Sequence, residues 1–214
     1  MSNFLFSNSH EIKKISFTGN EFISTSKLVS WLPIKESTFF EKSKYNSRLL
    51  KLAVIQIKHL YNSNGFINAK INPNVEINET QVNINFIIEE GNQYHIKKVE
   101  FSGNRIFTND EIEKILLVKV DDVFNPIHIT KQLKVLIRKY LESGKFYISV
   151  IDELFEEEKK VIIRINIAEG DTYYIGNTTV KGLEKLKVKT VNREFIIKSG
   201  ELYNISKIEQ TQTR

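Results

Sequence analysis

The 214 residues carry a formal charge of +5, from 31 Lys and Arg against 26 Asp and Glu, with 41% apolar content and no cysteine. An apolar fraction of that size builds cores and excludes a disordered chain, while the missing thiols exclude disulfides, thiolate metal sites, Fe–S clusters and cysteine nucleophiles. No run of about 18 apolar residues exists, and Met1 to Ser9 hold no Lys or Arg and no apolar stretch of signal-peptide length, so neither a membrane-spanning helix nor an export signal is expected here.

The segment Ile12-Lys-Lys-Ile-Ser-Phe17, closed by Gly19-Asn20, has the pattern of a short strand and a turn. Ser24 opens a short helix whose Leu28 and Leu32 share a face. After the loop from Pro33 to Lys44 comes Tyr45-Asn46, and Asn46 is placed to cap a longer helix with Leu50, Val54, Ile57 and Tyr61 at i, i+4, i+7 and i+11, one buried stripe. Gly65 stops that helix. Ile71 to Ile77 and Val82 to Ile88 form a hairpin across Asn78 to Gln81, and Pro73, which has no N–H to donate, puts the first of these strands at the sheet edge.

The same order then recurs. Tyr45-Asn46, Phe124-Asn125 and Tyr203-Asn204 are 79 positions apart, and the shift also carries Tyr61 onto Tyr140, Gly65 onto Gly144 and Glu90-Gly91 onto Glu169-Gly170. Upstream of the first pair the offset is 84, taking Ile12 to Ile96, Phe17 to Phe101 and Gly19-Asn20 to Gly103-Asn104, so five extra residues lie between Pro33 and Lys44. In the second repeat Thr108 opens the short helix. Pro126 follows the capping Asn125 as a first-turn proline, Ile129, Leu133, Leu136 and Tyr140 form the stripe, and Ile148 to Phe155 pairs with Val161 to Ile167 around Glu156 to Lys160. A third repeat begins with Tyr173, Ile175 and Gly182 and ends ten residues after Tyr203-Asn204. The chain is expected to be α+β, in tandem β-α-α-β-β units, each a three-stranded mixed sheet with two helices on one face. The boundaries are an N-terminal extension at 1–11, unit one at 12–91, unit two at 92–170 and a truncated unit three at 171–214.

This order, with Gly-Asn after the first strand, aromatic-Asn before the long helix and Glu-Gly leading into the next strand, resembles the POTRA (polypeptide-transport-associated) domain. The joint Glu90-Gly-Asn-Gln-Tyr-His-Ile-Lys-Lys-Val-Glu-Phe-Ser-Gly-Asn104 carries most of the resemblance, which covers residues 12 to 204. It implies the periplasmic region of a BamA-like outer-membrane assembly factor. The partners implied are unfolded outer-membrane β-barrel proteins, accessory lipoproteins of the assembly complex, and the membrane through a downstream barrel absent from this chain. A missing export signal and a third unit without its hairpin depart from that pattern, and an expressed fragment is the simplest account of both. The alternative is the POTRA region of a two-partner secretion pore that recognises one exported protein.

Other functions fit the residues less well. A KH-like nucleic-acid-binding module needs a Gly-x-x-Gly loop between its helices, and neither Pro33 to Lys44 nor Lys119 to Phe124 contains a glycine, so no nucleic acid is expected. His10, His59, His95 and His128 form no i, i+4 pair and share no repeat position; Glu156 to Glu158 and Asp121-Asp122 have the look of solvated tips. No catalytic residue, metal ligand or cofactor is therefore expected.

An unfolded β-rich client is expected to add a strand to a free sheet edge, where backbone hydrogen bonding accepts many sequences. The candidate residues are Ile148, Ser149, Val150, Ile151 and Asp152 in unit two and Ile71, Val75 and Ile77 in unit one, with unit two preferred because Pro73 interrupts the other. Gly91 and Gly170 are candidate interdomain joints, and Phe39 and Phe40, in the longer loop of unit one, are candidate partner contacts.

Overall fold

The computed structural model describes residues 10–179, 181–182 and 195–213. The first repeat runs β1 (Glu11–Thr18), α1 (Thr25–Trp31), α2 (Ser47–Ser63), β2 (Lys70–Asn78) and β3 (Gln81–Glu89). The second runs β4 (His95–Ser102), α3 (Asn109–Leu116), α4 (Pro126–Glu142), β5 (Ser149–Glu157) and β6 (Lys160–Ala168), and α5 (Ile205–Gln212) follows the third aromatic-Asn pair. Residues 1–9 of the N-terminal extension, and residue 180 with residues 183–194 inside the third repeat, lie outside the described residues.

The two sheets have one topology, β1-β3-β2 and β4-β6-β5, with the last strand of each repeat at the centre. β1 runs parallel to β3, whereas β2 is antiparallel to it, giving a mixed sheet. Along β3 the buried residues are Val82, Ile84, Phe86 and Ile88, every second position, and they form one cluster with Leu28 of α1 and Leu50, Ala53, Ile57, Leu60 and Tyr61 of α2. Both helices thus cover the same face. In the second repeat Val161, Ile163, Ile165 and Ile167 alternate in the same way, and Ile112, Leu116, Ile129, Leu133, Leu136 and Tyr140 are buried on α3 and α4. The α2 stripe is wider than its i, i+4 spacing suggested: Ala53 and Leu60 are buried as well, and Val54 only partly.

A bulge explains a spacing that plain alternation does not. Ile12, Ile15 and Phe17 cannot share a face of a regular strand, but the β1–β3 register slips between Ile12 and Lys14, which returns Ile15 and Phe17 to the core side. The hairpin turns are tighter than the polar stretches implied. β2 and β3 are joined by Glu79-Thr80 alone, and β5 and β6 by Glu158-Lys159, whose φ values of 47° and 65° are those of a two-residue turn with both positions left-handed. Neither turn carries Asn-Gly, so the sequence signal for so short a loop was missing, and β5 reaches Glu157 instead of stopping at Phe155.

Capping follows the sequence. Asn46 accepts from the amides of Arg48 and Leu49, Asn125 from Ile127 and Asn204 from Lys207, while Thr108 and Glu111 close a reciprocal capping box on α3. Gly19 and Gly103, expected as simple turn residues, are also points of close approach: with φ of 83° and 78°, a Cβ on either would collide with the carbonyl of Ile88 or Ile167. The described chain divides into two compact units, one of residues up to 95 with 123–127, the other of 96–122 with the residues from 128 onward.

Candidate strand-accepting edges

β2 and β5 are the edge strands of their sheets, each paired on one side only. Which of their backbone groups face outward follows from register. In a hairpin closed by a two-residue turn the flanking residues form a hydrogen-bonded pair, and such pairs recur at every second position. Glu157↔Lys160 is that first pair in the second repeat, so Phe155, Glu153, Ile151 and Ser149 point their N–H and C=O groups at β6, and those of Leu154, Asp152 and Val150 point outward. The same count from Asn78↔Gln81 turns Ile77, Val75, Pro73 and Ile71 outward on β2. Pro73 stands where an N–H would otherwise meet solvent, so the proline costs this ladder no bond but leaves a gap in the free edge. The β5 row from Val150 to Leu154 has no such gap.

The opposite edges are partly closed by the chain itself. On β1, Ile12 N donates to Ser43 O at 2.8 Å and Ser37 N to Ile12 O at 2.7 Å, and just before the strand Tyr45 N donates to His10 O at 2.8 Å. On β4, Ile96 N donates to Asp122 O at 2.8 Å and Asp121 N to Ile96 O at 2.8 Å. The inter-helix segments therefore pair with the beginning of the β1 and β4 edges, at Ile12 and Ile96, whereas no such segment pairs with β2 or β5 among the described residues.

The side chains of the outward-facing row lie on the helix side, since Val150, Asp152 and Leu154 stand opposite Ile167, Ile165 and Ile163 of the core. The helices do not reach over all of them. Val150 is half-buried, Asp152 is exposed and Leu154 is 44% exposed, leaving apolar surface for an added strand to cover. Ile148 precedes β5 and is half-buried, Ser149 is exposed, and Ile151 is 59% exposed on the face away from the helices. On β2, Ile71 is buried, Val75 half-buried and Ile77 55% exposed. That outer face of the second sheet is ordered by charge: the Arg164 guanidinium lies 4.6 Å over the Phe155 ring and donates to Glu100 at 3.1 Å. Lys98 and then Arg164 hold the Glu100 carboxyl below its usual range.

Gly91 and Gly170 adopt φ of 73° and 63° with only ordinary contacts around a would-be Cβ, which accounts for glycine at both through backbone conformation. Phe39 and Phe40 are 89% and 94% exposed, their rings edge to face at 5.1 Å.

Sequence reasoning missed a second recurrent device. Glu90 accepts from the Tyr61 hydroxyl at 2.8 Å and from Phe22 N at 2.9 Å, pinning the turn after β1 to α2 and to the end of β3. In the second repeat Glu169 accepts from Arg105 N at 2.6 Å and Ile106 N at 3.0 Å. Here Lys145 replaces Phe66; its ammonium lies 3.8 Å from the Glu169 carboxylate and donates to Gly170 O at 3.1 Å. The signal is the shared offset of Tyr61/Tyr140 and Glu90/Glu169, which on sequence alone reads equally as core and turn. The aromatic-Asn pairs likewise do two things: beside the cap, Tyr45, Phe124 and Tyr203 donate their amides to the carbonyls of His10, Tyr94 and Tyr173, which are themselves repeat-equivalent. Among the described residues no group of three or more His, Asp or Glu converges as metal ligands would, and no helix is long and apolar enough to cross a membrane.

The family model described as POTRA, surface antigen variable number repeat, matches residues 10–91 and 94–170. The outer membrane protein assembly factor BamA of Neisseria meningitidis serogroup B is 25% identical over 219 residues, covering 96% of this chain and 27% of that protein. BamA of Nitratidesulfovibrio vulgaris is 22% identical over 214 residues, covering 95% of this chain and 27% of the relative. The chain thus spans about a quarter of the length of these relatives. Among solved structures, the POTRA3-5 segment of Haemophilus influenzae BamA superposes with a TM-score of 0.69 at 21% identity, covering 95% of this chain and 84% of that one. BamA of Haemophilus ducreyi lacking POTRA domains 1-3 gives 0.59 at 18% identity over 78% of this chain and 30% of that one.

Proposed function

Because the chain belongs to the POTRA family, we propose that it is the periplasmic POTRA region of an outer-membrane β-barrel assembly factor and that it acts by binding, adding an extended segment of an unfolded outer-membrane protein to the free edge of β5. The observation that carries this reading is the uninterrupted row of outward backbone groups at Val150, Asp152 and Leu154, on an edge strand that, among the described residues, neither a proline nor an inter-helix segment interrupts. Backbone pairing accepts a client whatever its sequence, and the partly exposed Val150 and Leu154 favour clients with apolar residues at alternate positions. β2 serves as a weaker acceptor, divided at Pro73. Accessory lipoproteins and a barrel in the remainder of the protein complete the proposed setting.

Amide chemical shifts of the labelled chain, followed during titration with a peptide copying one membrane strand of an outer-membrane protein, test this reading. Perturbations centred on Ser149 to Phe155, with new protection from exchange at Val150, Asp152 and Leu154, are expected. Perturbations confined to the helices, with β5 unmoved, would overturn it.

A further inference from the structure

Phe39 and Phe40 are the most exposed large apolar side chains among the described residues, and the loop that carries them is built. Thr38 N donates to Glu41 O at 2.8 Å, Glu41 N to Thr38 Oγ1 at 3.0 Å and Ser43 N to Ser37 Oγ at 2.9 Å, so a tight turn holds both rings at its apex. The base of the turn is fastened to β1 through Ser37, Ser43 and Tyr45. A turn constrained in this way does not let its two rings fold back onto the core, and the five-residue insertion that forms it has no counterpart in the second repeat. Exposing two adjacent phenylalanines on a held apex is unfavourable in water.

Two features identify what covers them. The apex is flanked by polar residues, Ser37, Thr38, Glu41, Lys42 and Ser43, and its two rings are almost wholly exposed, so it lacks the surrounding apolar contacts that seal an anchor residue in a protein socket. A bilayer surface needs no such seal, because headgroups meet the polar ring while the rings enter the acyl boundary. The segment from Pro33 to Arg48 also carries Lys35, Lys42, Lys44 and Arg48 against Glu36 and Glu41, a net charge of +2. Lys35, Lys44 and Arg48 make no ion pair among the described residues, whereas Glu36 is turned back to accept from Ile15 N at 2.7 Å. We propose that the Phe39–Phe40 turn is a membrane-surface anchor, its rings inserting at the interface of an anionic bilayer and its lysines contacting the phosphates.

Flotation of the chain with vesicles of phosphatidylethanolamine and phosphatidylglycerol, at millimolar lipid and low salt, tests this. Wild-type protein is expected to float with the vesicles, Phe39→Ser/Phe40→Ser to lose at least about tenfold in partitioning, and Lys35→Gln/Lys44→Gln to bind less and with a shallower salt dependence. Circular dichroism checks that each variant is folded, which substitutions this exposed should not disturb. Phe40→Trp in a Trp31→Phe background gives the position directly: brominated acyl chains should quench its emission. Equal flotation of wild type and Phe39→Ser/Phe40→Ser, no flotation of either, or an unquenched tryptophan at position 40 would overturn the proposal, the last assigning the apex to a protein partner.

Discussion

Tyr61 and Tyr140 occupy equivalent positions and are both buried, yet their hydroxyls end differently. Tyr61 donates to Glu90, whereas Tyr140 finds no hydrogen-bond partner among the described residues. One replacement explains the difference: Phe66 packs edge-on against Tyr61, but Lys145 in its place draws the Glu169 carboxylate toward its own ammonium and the amides of Arg105 and Ile106. Tyr61→Phe, which leaves Glu90 short of a donor, should cost about 1–2 kcal/mol in denaturant unfolding, and Tyr140→Phe close to nothing. Burial first, and then the neighbouring glutamate, raises the pKa of both tyrosines above its ordinary value. A raised folded-state pKa favours the folded chain below the unfolded value, near 10, and that contribution is lost as pH climbs past it. Stability should therefore fall with rising pH above about 10, and less steeply in Tyr61→Phe and Tyr140→Phe. Equal unfolding midpoints for Tyr61→Phe and wild type at neutral pH would contradict the clamp.

At the scale of elements, most of the fold was legible because each repeat states its own punctuation. Asn46, Thr108, Asn125 and Asn204 sit where caps are needed, Gly65 and Gly144 where helices stop, and the 79-residue offset carries the core stripe from one repeat to the next. What the sequence hid were features set by strand pairing: the bulge at Lys13, the tight turn at Glu158-Lys159, and the contact of Gly19 and Gly103 with the third strand of their own sheets. None has a local composition signal, since a bulge and a register exist only between two strands. The buried stripe predicts that Leu136→Ala loses about 2–5 kcal/mol while the exposed Lys131→Ala loses little, as thermal or denaturant midpoints will show. Thr108→Ala should cost about 1 kcal/mol by opening the capping box. Glu111 is held below its usual pKa first by the Thr108 backbone amide and then by its hydroxyl, so the benefit of the box is present above the unfolded carboxylate value, about 4.5, and fades as pH falls through the folded one. Wild type and Thr108→Ala should accordingly converge in stability toward low pH.

Across the whole molecule, repetition and difference divide the labour. The two described sheets share topology, and in each the inter-helix segment pairs with the start of the first strand while the edge of the second strand is free of it. They differ at the proposed contacts: β2 is interrupted by Pro73 and β5 is continuous, while the longer loop of the first repeat carries Phe39 and Phe40. The open edges were legible from Pro73 and the hairpin patterns, though which residues of β5 present their amides outward required the register. That register makes Val150→Pro a clean probe, because the amide it removes faces away from β6 and its loss leaves the β5–β6 ladder intact. Asp152→Pro repeats the test one outward position along, and Ser149→Ala, whose amide faces β6, changes a side chain while keeping the free edge.

The measurement that bears most directly on strand addition is the affinity of an unfolded outer-membrane β-strand peptide for wild type, Val150→Pro, Asp152→Pro and Ser149→Ala, read by chemical-shift titration with circular dichroism to confirm the fold. Binding weakened by about tenfold or more in either folded proline variant, and unchanged in Ser149→Ala, is the predicted result. Undiminished binding by both folded proline variants would contradict the β5 edge as the client site and move the contact elsewhere on the chain.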